Sequence, residues 1–204
     1  LPQFLLNYVT GNPQGLQYEF NNDTAYFKKS INDGSALESS GTRIYNQFAV
    51  RYNYITPSWF YAIPELSVRT INTFYDQDTK EGLGLSASDD LEKSVVVPQF
   101  TFATGVTFEK DGKYLQSISP RAFYAYSPYK KQDDHPNFDS TTASISYDQL
   151  FNPYRFYGHD RLEDNNFLSL GVTYSLLDTE GLERIRASLG QSYYFNDRRC
   201  KYCS

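Results

Sequence analysis

Apolar and polar side chains that alternate over long stretches leave a chain few folds to choose from. Residues 99–109, QFTFATGVTFE, carry the pattern. Phe100, Phe102, Val106 and Phe108 share one face with Thr104, and Gln99, Thr101, Ala103, Gly105, Thr107 and Glu109 share the other. In 42–54, Ile44, Phe48, Val50, Tyr52 and Tyr54 oppose Arg43, Gln47, Ala49, Arg51 and Asn53. In 167–176, Leu168, Leu170, Val172, Tyr174 and Leu176 oppose Ser169, Gly171, Thr173 and Ser175. In 184–195, Ile185, Ala187, Leu189, Tyr193 and Phe195 oppose Arg184, Arg186, Ser188, Gly190 and Ser192. No segment has a convincing helical period, so the predicted fold is all-β.

Two features separate this pattern from a soluble sandwich. The strands read as about 11 to 16 residues long, against about 5 or 6 in globular proteins, and a tilted strand of about 9 to 11 residues crosses a bilayer. Aromatics also collect near strand ends (Tyr52 and Tyr54, Tyr124 and Tyr126, Tyr193 and Phe195), where a membrane barrel carries its interfacial girdle. The opposite face is Thr, Ser, Gly, Gln and Arg, as a wet lumen requires. A mean hydropathy of −0.58 is no objection, because half of every barrel strand is polar. The fold class is therefore a transmembrane antiparallel β-barrel, with eight spanning strands predicted near 2–9, 16–28, 42–55, 59–75, 97–110, 114–127, 167–177 and 182–196.

The connections alternate. NPQG (12–15), TPS (56–58), DGK (111–113) and DTEG (178–181) are short turns, whereas 29–41 and 77–94 are long. Outer-membrane barrels have short periplasmic turns and long extracellular loops. A ninth span at 139–149 would put DTEG on the wrong side. Residues 130–165 are therefore read as one extracellular excursion with at most local strand pairing, and 1–204 as a single barrel segment.

The chemistry is sparse. A net charge of −5 argues against a nucleic-acid partner. His135 and His159 lie near Asp133, Asp134, Asp160 and Asp164, and could activate water at a barrel rim. The spacing fits no H-E-x-x-H, and no G-x-S-x-G occurs, so solvated loop residues are the favoured reading. No catalytic, cofactor-binding or metal-binding residue is predicted. Arg155 and Arg161 flank Tyr157, Gly158 and His159. They could clamp a phosphate, but pairing with Asp160, Glu163 and Asp164 to pin the loop is preferred, with Gly158 allowing a tight turn. Arg43, Arg51, Arg69 and Arg121 face the lumen and are expected to pair with acids such as Glu19, Glu65 or Glu109. The acids Asp76, Asp78, Glu81, Asp89, Asp90 and Glu92 read as a solvated loop.

Several motifs point further. Pro120-Arg121, Pro128-Tyr129, Gln132, Phe138-Asp139-Ser140, Leu150-Phe151, Arg155-Phe156, Gly158, Asp160-Arg161, Asp164, Asn166, Gly190-Gln191 and Tyr193-Tyr194-Phe195 follow one another in order. The series resembles the barrel domain of the LptD family of lipopolysaccharide-assembly outer-membrane proteins, and the opening LPQFLLNY resembles the start of a mid-barrel strand in that family. The resemblance covers nearly the whole chain and is most specific over 115–199. It implies a bacterial outer-membrane translocon that does no bond chemistry. Its barrel takes lipopolysaccharide from a periplasmic Lpt bridge and passes it to the outer leaflet, with an LptE-type lipoprotein plugged inside. Phe138, Asp139, Arg155, Phe156, Gly158, Asp160, Arg161 and Asp164 become the family loop motif, structural or in contact with lipid or partner.

The family's N-terminal periplasmic domain and the first and last barrel strands have no counterpart here, and Leu1 stands where an initiating Met would. These departures mark a mid-barrel piece. The family ties its barrel to the N-terminal domain through disulfides. Cys200 and Cys203 are disulfide candidates, although they fall early for that role. The alternative is a self-contained small outer-membrane barrel, a channel or an anchor, since eight is a permitted strand number.

Overall fold

The computed structural model describes residues 2–28, 40–57, 59–75, 92–132, 138–144, 146–197 and 199. Twelve strands appear among them: β1 (Gln3–Gly11), β2 (Leu16–Lys28), β3 (Ser40–Tyr52), β4 (Tyr54–Ile55), β5 (Phe60–Tyr75), β6 (Glu92–Val106), β7 (Phe108–Lys110), β8 (Leu115–Ser127), β9 (Thr141–Thr142), β10 (Phe156–Tyr157), β11 (Asn165–Leu177) and β12 (Glu183–Tyr194). A 3-10 turn covers Asp148–Phe151. Eight long strands form one antiparallel sheet in the order β1-β2-β3-β5-β6-β8-β11-β12, with β4 and β7 prolonging its edges and β9 pairing β10 separately.

The eight long strands fall where the alternation puts them. The largest boundary difference is β6, which begins at Glu92 rather than at 97. Its run Val95-Val96-Val97 is apolar on both faces and hides the period, but β5 is long enough to offer it partners as far as Phe74 opposite Glu92. Among the described residues β1 and β12 are not paired with each other, so the eight strands do not close into a barrel of their own.

Register keeps each face continuous. Asn21 lies opposite Gln47, Gln47 opposite Arg69, Thr101 opposite Ala125 and Ala125 opposite Phe167. From β2 to β11 the odd-numbered residues therefore share the inner face. The even-numbered face is mostly apolar, with Phe48, Leu66, Val68, Val96, Phe102, Ile118 and Leu170 exposed on it, and carries Asn22, Asn46, Thr70 and Asn72 toward the long connections.

The inner face is wet over only part of its length. Near the long connections it is covered by a strap between β8 and β11, of which residues 128–132, 138–144 and 146–164 are described. This strap contains no strand longer than two residues among those described. Beneath it Tyr45, Ile71, Val95 and Val97 bury against Leu162, while Phe123, Ala125 and Phe167 bury against Phe151. Each large apolar side chain so buried contributes roughly 1.5–3 kcal/mol.

The ladder is interrupted between β6 and β8. That pairing runs only from Phe100 opposite Tyr126 to Gly105 opposite Arg121, breaks at Thr107, and resumes from Phe108 opposite Ile118 to Lys110 opposite Gln116. Above Phe100 the inter-strand ladder stops.

Candidate functional site

The strap is held by two buried arginines on the sheet. Arg43 points inward from β3 and is fully buried. Its Nη1 donates to Asp139 Oδ1 at 2.5 Å and to Asp160 Oδ1 at 2.7 Å, and its Nη2 donates to Asp139 Oδ2 at 3.0 Å and to Asp23 Oδ2 at 3.5 Å. Phe27 lies under the guanidinium, 4.8 Å from its centre, and stacks on Phe138 at 4.6 Å.

Asp160 ties the two limbs of the strap together. Its Oδ2 accepts the backbone N–H groups of Phe138, Asp139 and Ser140 at 2.8, 2.7 and 3.0 Å. Its own N–H donates to Ser140 Oγ at 2.9 Å. The neighbouring turn needs Gly158, whose φ is +81° and where a Cβ would stand 2.5 Å from Asp139 Oδ1 and 2.9 Å from the Asp139 carbonyl oxygen.

The second latch is Arg69 on β5, whose Nη1 donates to Glu163, with both side chains almost fully buried. Arg69 also lies over the Tyr154 ring at 5.3 Å, and the Tyr154 hydroxyl accepts from Gln47 Nε2 at 2.9 Å. A cavity of about 300 Å³ adjoins this pair, lined in part by Tyr45, Tyr154, Phe156 and His159.

A third contact seats the 3-10 turn. Arg121 on β8 lies 3.6 Å from the Phe151 ring centre and donates to Asp148 at 3.0 Å. Gly171 and Gly190 stand opposite each other on β11 and β12. A Cβ at Gly171 would meet the Phe151 ring at 2.5 Å, and one at Gly190 would meet Leu150 Cδ1 at 2.9 Å. Their bare backbones let the turn lie directly on the sheet. Tyr147 reaches Thr173 from this turn, eight residues along β11 from Asn165 and roughly 25 Å in from the strand end.

The return limb is fixed by side chains that imitate a strand. Gln132 Nε2 donates to the Leu162 carbonyl at 2.7 Å, and the Leu162 N–H donates to Gln132 Oε1 at 2.8 Å. Ser127 Oγ donates to the Glu163 carbonyl and accepts the Asn165 N–H.

The motif residues are thus brought to one place, with a different pairing from that expected. Asp160 and Glu163 are taken by the strand arginines Arg43 and Arg69. Arg161, buried, donates from Nη1 to the Asp160 carbonyl at 3.0 Å. Arg155 lies over the Phe156 ring at 5.3 Å, and Phe156 is buried in β10. Asp164 accepts the Arg199 N–H at 2.6 Å. Of the lumen arginines, Arg51 pairs with Glu19 and Glu65 as anticipated, while Glu109 is exposed. Asp23, a partner of Arg43, carried no sequence signal beyond its inward position. Cys200, Cys203, His135 and the acids of 76–91 lie outside the described residues.

His159 stacks on Tyr45 at 4.0 Å, with Nε2 3.7 Å from Asp23. Burial, aided by the charge of Arg43, lowers its pKa from 6.5, outweighing Asp23 and Asp139. Burial raises the Asp160 carboxyl against the pull of Arg43. At Asp139 burial also pushes upward, but the hydrogen bonds and charge of Arg43 outweigh it and the carboxyl is held low.

The sign of the His159 effect follows. The unfolded imidazole takes a proton before the folded one, so the strap's stability is complete above pH 6.5 and is lost as pH falls below it. Proteolysis within the strap should therefore speed up between about pH 7.5 and about pH 5.5. His159→Gln should flatten that part of the profile. Asp160 acts in the opposite sense, so the comparison with the variant decides. An unchanged profile in His159→Gln would rule His159 out.

The family model for LptD, described as LPS transport system D, matches residues 1–202. The chain belongs to the LptD family. An LPS-assembly protein LptD of Acinetobacter baumannii is 78% identical over 98% of this chain, which covers 24% of that relative. One from Psychrobacter cryohalolentis is 39% identical over 98% of the chain and 21% of its own length. One from Cupriavidus pinatubonensis is 30% identical over 97% and 25%. The chain thus spans about a quarter of the length of the curated LptD relatives it matches. LptD proteins are outer-membrane β-barrels, and the open antiparallel sheet fits a run of wall within one. Among the described residues no group of three or more His, Cys, Asp or Glu is placed to hold a metal ion.

Proposed function

We propose that this chain is a stretch of the wall of an outer-membrane barrel that assembles lipopolysaccharide at the bacterial cell surface, and that it transports its cargo without bond chemistry. The observation that carries this reading is the division of the sheet into an apolar outer face and a polar inner face that is only half covered. The strap closes the inner face toward the long connections, which this reading assigns to the extracellular side. The other half keeps cross-strand hydroxyl pairs, Ser117 with Ser175 at 2.7 Å and Thr107 with Ser119 at 3.0 Å. A polar wall of hydroxyls and paired charges, Arg51 with Glu19 and Glu65, suits both a saccharide passing along it and an LptE-type lipoprotein seated against it. Delivery by a periplasmic Lpt bridge, through an N-terminal domain of the full-length protein, completes the scheme.

Depletion of the full-length protein tests the reading. Newly made lipopolysaccharide should stop reaching the surface, and the wild-type form should restore it. The Arg161→Ala form should restore it incompletely, with lower folded-barrel levels or a more permeable envelope. Normal surface lipopolysaccharide during depletion contradicts the function. Normal barrel levels and permeability in Arg161→Ala contradict the role given to the strap.

A further inference from the structure

The outer face of the sheet changes character along its length. One row of outward side chains sets Val50 opposite Leu66, Leu66 opposite Phe100 and Phe100 opposite Tyr126. The next row toward the long connections sets Phe48 opposite Val68 and Val68 opposite Pro98. That row has no successor on β8, which stops at Ser127, and Pro98 and Pro128 have no N–H to prolong the ladder. An apolar groove of about 470 Å³ results, lined by Phe48, Leu66, Val68, Pro98, Phe100 and Tyr126.

The following row is polar at its three central positions and is flanked by Leu6 and Val96. Asn22 lies opposite Asn46 and Asn46 opposite Thr70. Asn22 Nδ2 donates to Asn46 Oδ1 at 2.8 Å, Thr24 Oγ1 donates to Asn22 Oδ1 at 3.1 Å, and Asn46 Nδ2 donates to Thr70 Oγ1 at 3.5 Å. All four side chains are half-buried, and Asn72 and Ser94 continue the polar surface one row further, about 7 Å on. Lys130 and Lys131 are exposed just past Pro128.

An apolar trough that ends at a ladder of amides and hydroxyls has the chemistry of an amphiphile. The trough accepts hydrocarbon. Amides and hydroxyls exchange hydrogen bonds with sugar hydroxyls. A phospholipid with a small zwitterionic head would use the trough and leave the ladder idle. We propose that this outward face is a docking site for an acylated saccharide lipid of the outer leaflet, with an acyl chain in the groove and its sugar on the Asn22–Asn46–Thr70 ladder. The site lies on the outside of the wall, away from any route through the lumen, and it rests on the outer-membrane reading above.

A benzophenone amino acid placed at Val68 of the full-length protein in growing cells tests the proposal, with the same probe at Leu170 as the reference. Both positions are outward and exposed, at 43% and 55%, but Leu170 lies on β11 away from the groove. Light should couple the saccharide lipid to position 68 on the order of fivefold more than to position 170. The double substitution Asn46→Leu with Thr70→Val should remove that excess. Equal capture at the two positions, capture of phospholipid alone at 68, or an excess that survives the double substitution overturns the site and leaves the membrane reading intact. Capture of no lipid at either position overturns both.

Discussion

Arg43→Ala should release the strap. The substitution removes the one cation that Asp160 and Asp139 share and leaves Asp160 buried without a counter-charge. Breaking a buried pair from one side costs about 3–5 kcal/mol. Asp160 sets this scale, because its side chain is 1% exposed, while that of Asp139 is 38% exposed and screened by solvent. If the strap opens locally while the sheet stays paired, its proteolysis should rise by about two to three orders of magnitude. Folded-barrel levels, read from the mobility of the unheated protein, should fall much less. Asp139→Asn should cost under about 1 kcal/mol. Arg43→Lys should lie between, because an ammonium keeps the charge but cannot fork to two carboxylates. A strap as resistant in Arg43→Ala as in the wild type would show that the latch holds nothing.

The second large effect concerns Arg69 and Glu163. Removing either partner strands the other in a buried site, again at about 3–5 kcal/mol, whereas replacing both with apolar side chains of similar volume removes the desolvation cost along with the attraction. Arg69→Met and Glu163→Leu should each lower the urea midpoint of strap opening strongly, and together should recover most of the loss. The apolar neighbours Ile71, Val97 and Leu162 make the double substitution compatible with its surroundings. Additive losses in the double variant would mean that the two side chains act independently despite their contact.

The strands were legible because one face of each is apolar and the other is small or polar, and that pattern survives whatever the tertiary context. Val95-Val96-Val97 escaped it, since a continuous apolar run carries no period. The loop motif was legible as a run of residues between two strands, β8 and β11. Its pairing was not. Asp160 had arginines close by in sequence, but its Arg43 partner lies 117 residues away, and Glu163 is separated from Arg69 by 94. Which lumen arginine meets which strap carboxylate depends on how far the strap reaches over the sheet, and no local pattern encodes that distance. The facing glycines, Gly171 and Gly190, become visible only when the β11–β12 register is known.

The short seam between β6 and β8 gives the strap a mechanical meaning. The strap springs from β8 and is rooted at β11, on one side of the seam, yet its two arginine anchors stand on β3 and β5, on the other. It is a tie rod across a joint. A load that pries the wall apart at β6–β8 meets no ladder above Phe100 and is carried instead by the strap's two ion pairs and by the packing of Leu162 on Tyr45, Ile71, Val95 and Val97. Hydrogen bonds in a ladder fail one at a time, but a tie holds until its anchor breaks. The wall should therefore be stiff across this seam up to a threshold and then yield abruptly, with Arg43 and Arg69 setting the threshold.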